Sequence, residues 1–146
     1  MFTHILLAAD GSEGSLRAAK VAAGMAKQCG AKLTILTVYD PPGGAPSSAP
    51  DPNPMLDRDM VMRYIDGVLD EVEEKTCSLV SAEGVNCLFR RELGHVVESI
   101  VGIAAREKFD LIVMGSRGTG GQESFLVGSV AERVMHHAQC TVTIVK

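Results

Sequence analysis

Short apolar runs alternate with longer helical stretches along this chain. Residues 4–9 form one such run, HILLAA, which ends at a turn sequence, and residues 111–114 form another, LIVM. Unbroken apolar runs of this length are typical of strands buried on both faces of a parallel sheet. Strands are predicted at residues 4–9, 32–39, 85–91, 111–114 and 141–145, and helices at residues 12–28, 55–82, 95–108 and 129–137.

This alternation predicts an α/β fold. Apolar strands that alternate with helices form a parallel sheet with helices on both faces, and 146 residues match one domain of ordinary size. We therefore predict a single doubly wound domain, residues 1–146, with a five-stranded parallel sheet. The third strand alternates apolar with polar residues and is expected at a sheet edge. In the helix of residues 55–82 the expected apolar stripe is Leu56, Met60, Tyr64, Val68, Val72 and Leu79.

The charge balance narrows the classes of partner. The net charge is −4, and no run of Lys and Arg offers a footprint for a phosphate backbone, so general DNA or RNA binding is not expected. No apolar stretch approaches the roughly 20 residues of a membrane helix, and the first residues lack the positive region of a signal peptide. We expect a cytoplasmic protein that binds neither nucleic acid nor membrane.

The four cysteines, Cys29, Cys77, Cys87 and Cys140, lie far apart in the sequence and form no C-x-x-C pair. This spacing predicts reduced thiols that serve as small buried apolar residues. A redox-sensor role for one of them is the alternative, and nothing in the sequence selects which.

All six prolines lie within residues 40–54, DPPGGAPSSAPDPNP. Proline does not fit a helix interior or a central strand, so this segment is predicted to be a surface loop. Loops of this length are more often functional or disordered than plain connectors. The role of this loop stays open.

Ligands of doubly wound sheets bind beyond the carboxyl ends of the strands, where the strand order reverses. The segments to consider are residues 9–12 after strand one, residues 38–40 after strand two, and the residues from 114 onward after strand four. Ser12 is predicted to be the N-cap of the first helix. Two roles are open for Asp10, a helix cap or a carboxylate beside a bound ligand.

The strongest functional pattern is the glycine-rich loop of residues 115–128. Its glycines let the backbone approach a ligand and leave N–H groups for phosphate oxygens. Gly128-Ser129 opens a helix, whose N-terminus favours an anion, and the Ser129 hydroxyl can either cap that helix or donate to a phosphate. Arg117 can add a charged contact. The loop matches neither G-x-x-x-x-G-K-[ST] nor G-x-G-x-x-G, which excludes a P-loop and a dinucleotide fingerprint.

The spacing of Gly115, Gly118 and Gly128-Ser129 is G-x2-G-x9-G-[ST]. It resembles the motif of the nucleotide-binding branch of the universal stress protein family. The resemblance covers essentially the whole chain, including AADGS at residues 8–12 and DLIVMGSRG at residues 110–118. It implies a Rossmann-like fold of the adenine nucleotide alpha-hydrolase type.

The resemblance also implies a ligand and a role for individual residues. The ligand is ATP, with Mg²⁺ associated indirectly with Asp10 through the phosphates. The contacts implied at the strand ends are Ala9 and Asp10, with Gly11 and Ser12, in the pocket wall, Val38 at the adenine, and Met114 and Gly115 at the adenine and ribose. The implied phosphate cradle is Gly118, Gly128, Ser129 and Val130. Arg117 stands at a position that is usually polar or basic in the family.

The function implied by the resemblance is that of an ATP-binding regulatory protein of the stress response, whose partner binding changes with its nucleotide. Two alternatives stay open, a slow ATPase or phosphotransferase and a module that binds AMP or cyclic AMP in the same cleft. Fast hydrolysis is not expected, because the P-loop lysine is absent and Asp10 is the one obvious general base. The family resemblance further implies a homodimer through the last strand, residues 141–146, which as an edge strand is a template for pairing.

Overall fold

The computed structural model describes residues 1–41, 58–117 and 127–146. Over these residues the elements in chain order are β1 (His4–Ala8), α1 (Glu13–Cys29), β2 (Lys32–Tyr39), α2 (Arg58–Ala82), β3 (Cys87–Leu93), α3 (Val96–Arg106), β4 (Leu111–Gly115), α4 (Ser129–His137) and β5 (Thr141–Val145). The proline-rich loop from residue 42 onward, the start predicted for α2 and residues 118–126 of the glycine-rich loop lie outside the described residues.

The five strands form one parallel sheet in the order β3-β2-β1-β4-β5. Helices α1 and α2 cover one face of the sheet, and α3 and α4 cover the other. The predicted doubly wound architecture is therefore confirmed. The edge position predicted for the third strand is confirmed as well, because β3 pairs with no strand but β2 among the described residues.

Each face of the sheet carries its own apolar layer. Under α1 the layer is made largely of alanine, and the small side chains of Ala18, Ala22 and Ala26 allow this helix to lie close to the strands. Under α3 and α4 it is made of larger residues such as Leu6, Leu36 and Ile112. Because β1 and β4 are covered on both sides, their apolar runs are almost completely buried, as the unbroken pattern predicts.

The ends of α1 follow the local signals. Ser12 is the N-cap, and its side chain accepts a hydrogen bond from the Ser15 N–H at 3.2 Å. Gly30 is the C-cap in the left-handed conformation, with φ 65°. The helix ends one residue later than predicted, at Cys29.

The predicted start of the third strand, Val85, is wrong, and β3 runs from Cys87 to Leu93. The Val85 N–H donates to the Val80 carbonyl at 3.4 Å, so this residue still belongs to the turn that leaves α2. At the other end the strand is longer than predicted, because β2 extends to Tyr39 and pairs there with Leu93.

Two further boundaries differ from those predicted. Helix α3 begins at Val96, after His95 as N-cap, and ends at Arg106; Lys108 then adopts a left-handed conformation with φ 57°, which ends the helical geometry. Strand β4 includes Gly115, one residue beyond the predicted end, because Gly115 still pairs with Val145 of β5.

The apolar stripe predicted for α2 is correct at Val72, which is buried, but wrong at Met60 and Tyr64. Met60 and Tyr64 are 68% and 70% exposed, while the buried residues are Ile65, Leu69, Val72, Thr76 and Val80. Both sets are compatible with helical spacing, and contact with the sheet selects between them. No helix among the described residues, this longest one included, has the length and apolar character needed to cross a membrane.

Candidate functional site

The order of the strands reverses between β1 and β4. Ala8, at the end of β1, pairs with Leu36 of β2 on one side and with Met114 of β4 on the other. The Ala9 N–H continues the ladder and donates to the Leu36 carbonyl at 2.9 Å. The carboxyl ends of three strands therefore meet at this point, which is where open α/β sheets bind ligands.

The turn from β1 into α1 is held by a closed set of hydrogen bonds. Asp10 Oδ1 accepts from the Ser12 N–H at 2.9 Å and from the Ser12 hydroxyl at 2.5 Å. Ser15 Oγ accepts from the N–H groups of Asp10 and Gly11, at 3.2 and 3.3 Å. Ser15 is only 3% exposed. The turn thus exposes the Asp10 carboxylate to solvent, while the buried Ser15 hydroxyl holds the backbone of the turn in place.

Gly11 at this turn has two reasons to be glycine. Its φ is +80°, a left-handed conformation that is unfavourable for residues with a side chain. A Cβ here would also lie 3.0 Å from Cγ2 of Val72, so α2 packs directly against the turn. The candidate site is therefore backed by α2 as well as by the sheet.

A second close approach joins β4 to the start of α1. A Cβ on Gly115 would lie 2.8 Å from the carbonyl carbon of Gly14 and 3.1 Å from the Ser15 nitrogen. A Cβ on Gly14 would lie 3.0 Å from the Arg117 carbonyl oxygen. Backbone meets backbone at both points, and this contact brings the Asp10 turn beside the end of β4.

The N-terminus of α4 is attached to the same strand end. The Gly128 N–H donates to the Ser116 carbonyl at 2.6 Å, and the Ser116 N–H donates to the Val145 carbonyl at 2.9 Å. A Cβ on Gly128 would lie 2.9 Å from the Ser116 oxygen, which explains this glycine on steric grounds, since its φ of −62° is ordinary.

Gly128 is the N-cap of α4, so the capping role considered for Ser129 does not occur. Ser129 is the first residue of the helix, and its side chain is exposed. The N–H groups in the first turn of a helix have no partner within the helix. Together with the Ser129 hydroxyl they form a set of donors beside the end of β4.

The remaining predicted residues occupy different depths. Met114 is 6% exposed and packs with α3 and α4, so only its backbone borders the strand end. Val38 is half-buried on the same face of the sheet. Arg117 is half-buried next to Gly128, and Val130 is 36% exposed in the first turn of α4. Gly118 lies outside the described residues.

Charged residues of both signs border the site, among them Asp10, Arg17 and Arg117. Asp10 is exposed, and its Oδ2 takes no hydrogen bond from the residues described. Farther along the same edge, Asp40 Oδ2 lies 3.2 Å from Nδ1 of His95. Nowhere among residues 1–41, 58–117 and 127–146 do three or more His, Cys, Asp or Glu side chains form a group that could hold a metal ion alone.

Three residues of the site were not predicted. Gly14 and Ser116 matter through backbone approach and backbone hydrogen bonds, which carry no signature in side-chain chemistry. Ser15 could have been found, because a serine in the first turn of a helix commonly bonds to nearby backbone N–H groups. The sequence pattern directed attention to Ser12 as the cap instead.

The geometry describes a doubly wound α/β domain, and comparison with known proteins identifies its class. The sequence profile of the universal stress protein family matches residues 1–146. The "universal stress protein in QAH/OAS sulfhydrylase 3′ region" of Thermus aquaticus is 34% identical over 146 residues, all of both chains. This chain belongs to the universal stress protein family.

Solved structures agree with this assignment. The universal stress protein UspA from Lactobacillus plantarum superposes with a TM-score of 0.81 and 27% identity, over 99% of this chain and 98% of the other. A universal stress protein in complex with cAMP superposes with a TM-score of 0.70 and 26% identity, over 99% and 97% of the two chains. An adenine nucleotide is thus a ligand of one structural relative.

Proposed function

We propose that this chain is an ATP-binding regulatory protein of the cytoplasm, whose partner binding changes with the nucleotide it holds. The observation that carries the proposal is the meeting of three backbone segments at the strand reversal. These are the turn of Asp10, the end of β4 at Gly115 and the first turn of α4. Their convergence supports a ligand that combines a flat base with an anionic group.

The phosphates are assigned to the N-terminus of α4. Its first N–H groups and the Ser129 hydroxyl are donors, and the helix dipole adds a partial positive charge. Gly128 N–H is already bonded to Ser116, so the donors begin at Ser129. A chain with a net charge of −4 can hold a polyanion in this way, because the attraction is local and made by backbone.

The fit of Mg²⁺ rests on Asp10. One oxygen of this carboxylate is bonded to Ser12, while Oδ2 has no hydrogen bond among the described residues. Mg²⁺ in nucleotide sites takes one or two carboxylates together with phosphate oxygens and water. The ion would neutralise phosphate charge, and the fixed turn would orient Asp10 toward it, directly or through water.

The adenine is assigned to the carboxyl ends of β2, β1 and β4. Val38 is half-buried there, and the Met114 backbone borders the same edge. Because one relative was solved in complex with cAMP, cyclic AMP is the alternative ligand for the same site.

Calorimetric titration of the purified chain with ATP, ADP, AMP and cyclic AMP, with and without Mg²⁺, tests which nucleotide is the ligand. If ATP with Mg²⁺ binds most tightly, the proposal is supported. If cyclic AMP binds most tightly, the proposal of ATP as the ligand is wrong.

Replacing Ser129 by alanine tests the phosphate assignment. We expect Ser129→Ala to weaken ATP binding about 10- to 100-fold, since a hydrogen bond to a charged group contributes about 1.5–3 kcal/mol. The Tm without ligand should stay unchanged, because the hydroxyl makes no capping bond. Ser81→Ala, on an exposed turn of α2, is the matched control. Unchanged ATP affinity in Ser129→Ala would remove this residue from the phosphate site.

A homodimer through the last strand is part of the same proposal. β5 pairs with β4 on one side, and its other edge is the edge of the sheet. Two copies paired antiparallel about a two-fold axis near Thr143 would continue the sheet. Sedimentation velocity should then give twice the 15.5 kDa of one chain.

Thr143→Lys should shift this dimer to the monomer, because the two-fold axis would bring like charges together. Leu88→Lys, at the exposed opposite edge of the sheet, is the control that should leave the mass unchanged. A single-chain mass for the unmodified protein, or a dimer that only Leu88→Lys disrupts, contradicts the β5 interface.

A further inference from the structure

Two of the four cysteines meet where α2 packs on β3. The Sγ atoms of Cys77 in α2 and Cys87 in β3 are 3.9 Å apart, in the range of an S–H···S contact. Both residues are free thiols and half-buried, at the border of the apolar layer under α1 and α2. Cys29 and Cys140 make no such contact in the described part of the chain.

The contact is fixed on both sides by other interactions. The connection from α2 to β3 is short and turns at Gly84, with φ +76°. Farther along β3, Arg91 forms ion pairs with Asp70 at 2.6 Å and Glu73 at 2.5 Å, both on α2. Helix and strand are therefore held side by side from Arg91 to Cys87, and the two sulfur atoms face each other as a consequence.

The surroundings suppress the reactivity of the resting pair. Burial, with the Cys87 thiol and the Glu73 charge nearby, raises the pKa of Cys77 to about 12. Cys77 therefore stays protonated near neutral pH, and the first nucleophilic attack falls to Cys87. Both thiols are half-buried, which favours a small oxidant such as a peroxide over a bulky one.

We propose that Cys77 and Cys87 form a reversible intramolecular disulfide when the protein meets a peroxide. Cys87 loses its proton to solvent, and its sulfur attacks one peroxide oxygen. The O–O bond breaks to leave a sulfenic acid, and the hydroxide released takes up a proton to give one water. The Cys77 sulfur then attacks the sulfur of the sulfenic acid, and the S–O bond breaks. The hydroxide released takes the Cys77 proton to give a second water. The two thiols lose two electrons, and the peroxide gains them.

The disulfide would lock α2 onto β3. Its sulfur atoms must close from 3.9 Å to about 2.05 Å, which requires the two side chains to rotate toward each other. The same helix carries Val72, which packs on Gly11 at the candidate site. The cross-link therefore lies on the element that backs the β1 turn.

The sequence allows a direct test on the unmodified full chain. Trypsin releases residues 76–90 as one peptide that holds both cysteines, and Glu83 is its single glutamate. We expect hydrogen peroxide, followed by alkylation, to give this peptide unalkylated and two hydrogens lighter. Glu-specific cleavage should then leave two fragments joined until dithiothreitol separates them. Cys29 and Cys140 should stay fully alkylated.

Variants establish that the two thiols act together. In Cys77→Ser, Cys87 should be recovered as sulfenic, sulfinic or sulfonic acid, while Cys29→Ser should form the disulfide like the unmodified chain. A peptide 76–90 with both cysteines alkylated after peroxide, Cys87 overoxidised beside alkylated Cys77, or a disulfide to Cys29 or Cys140 would each overturn the proposal.

Discussion

Gly115→Ala is expected to lower the free energy of unfolding by about 3 kcal/mol, at the upper end of the range for overpacked sites. The added Cβ would lie 2.8 Å from the Gly14 carbonyl carbon and 3.0 Å from its oxygen. Both are backbone atoms, so no flexible side chain can move aside. At roughly 3 °C per kcal/mol, Tm should fall by about 9 °C, which thermal unfolding followed by circular dichroism measures.

The same substitution elsewhere should have the opposite sign. Gly24 lies inside α1, and a Cβ there meets nothing within 4 Å. Gly24→Ala should raise the free energy of unfolding by about 0.5–1 kcal/mol through helix propensity. If Gly115→Ala left Tm unchanged, the start of α1 would not lie against β4 as described. The convergence that supports the proposed site would then be lost.

The layout of the fold was predictable because burial leaves a strong pattern. β1 and β4 lie in the middle of a sheet covered on both faces, so their residues must be apolar without interruption. That pattern identified the strands, their parallel arrangement and the sheet edge proposed to bind the ligand. Ser12 was identified as an N-cap because serine is a preferred N-cap residue and stands here directly before an alanine-rich helix.

Features that depend on register were not predictable. The stripe of α2 that faces the sheet is selected by contacts with residues distant in sequence, and the sequence offered a neighbouring stripe of equal quality. The meeting of Cys77 with Cys87 depends on that same register. Gly14 was overlooked because its role is steric. It leaves room for the Arg117 carbonyl oxygen, which a side chain at this position would contact too closely. Periodicity within one element does not contain such information.

The structure also changes what the glycine motif means. Gly115 and Gly128 each have a packing reason to lack a side chain, since each faces backbone atoms of the protein itself. Packing within the protein therefore accounts for these two glycines without a ligand. They bring the Asp10 turn and the N-terminus of α4 to the end of β4, and the donors proposed for the ligand belong to neighbouring residues.

Ser15→Ala is expected to weaken both the fold and the proposed nucleotide site. Ser15 is 3% exposed, and its hydroxyl oxygen accepts the N–H groups of Asp10 and Gly11. Without it these two donors lose their partner, which should cost about 2 kcal/mol of unfolding free energy. The turn that carries Asp10 should also become mobile, and we expect ATP affinity of the folded protein to fall more than about tenfold.

Ser99→Ala is the matched control for this substitution, because Ser99 lies near the start of α3 and its side chain makes no hydrogen bond among the described residues. Chemical denaturation and calorimetric titration with ATP and Mg²⁺ measure the two effects separately, at a temperature where both variants are folded. Amide hydrogen exchange should show faster exchange at Asp10 and Gly11 in Ser15→Ala alone. Lower stability with unchanged ATP affinity would make Ser15 a purely structural residue, because a serine that positions the turn must affect the ligand that the turn contacts.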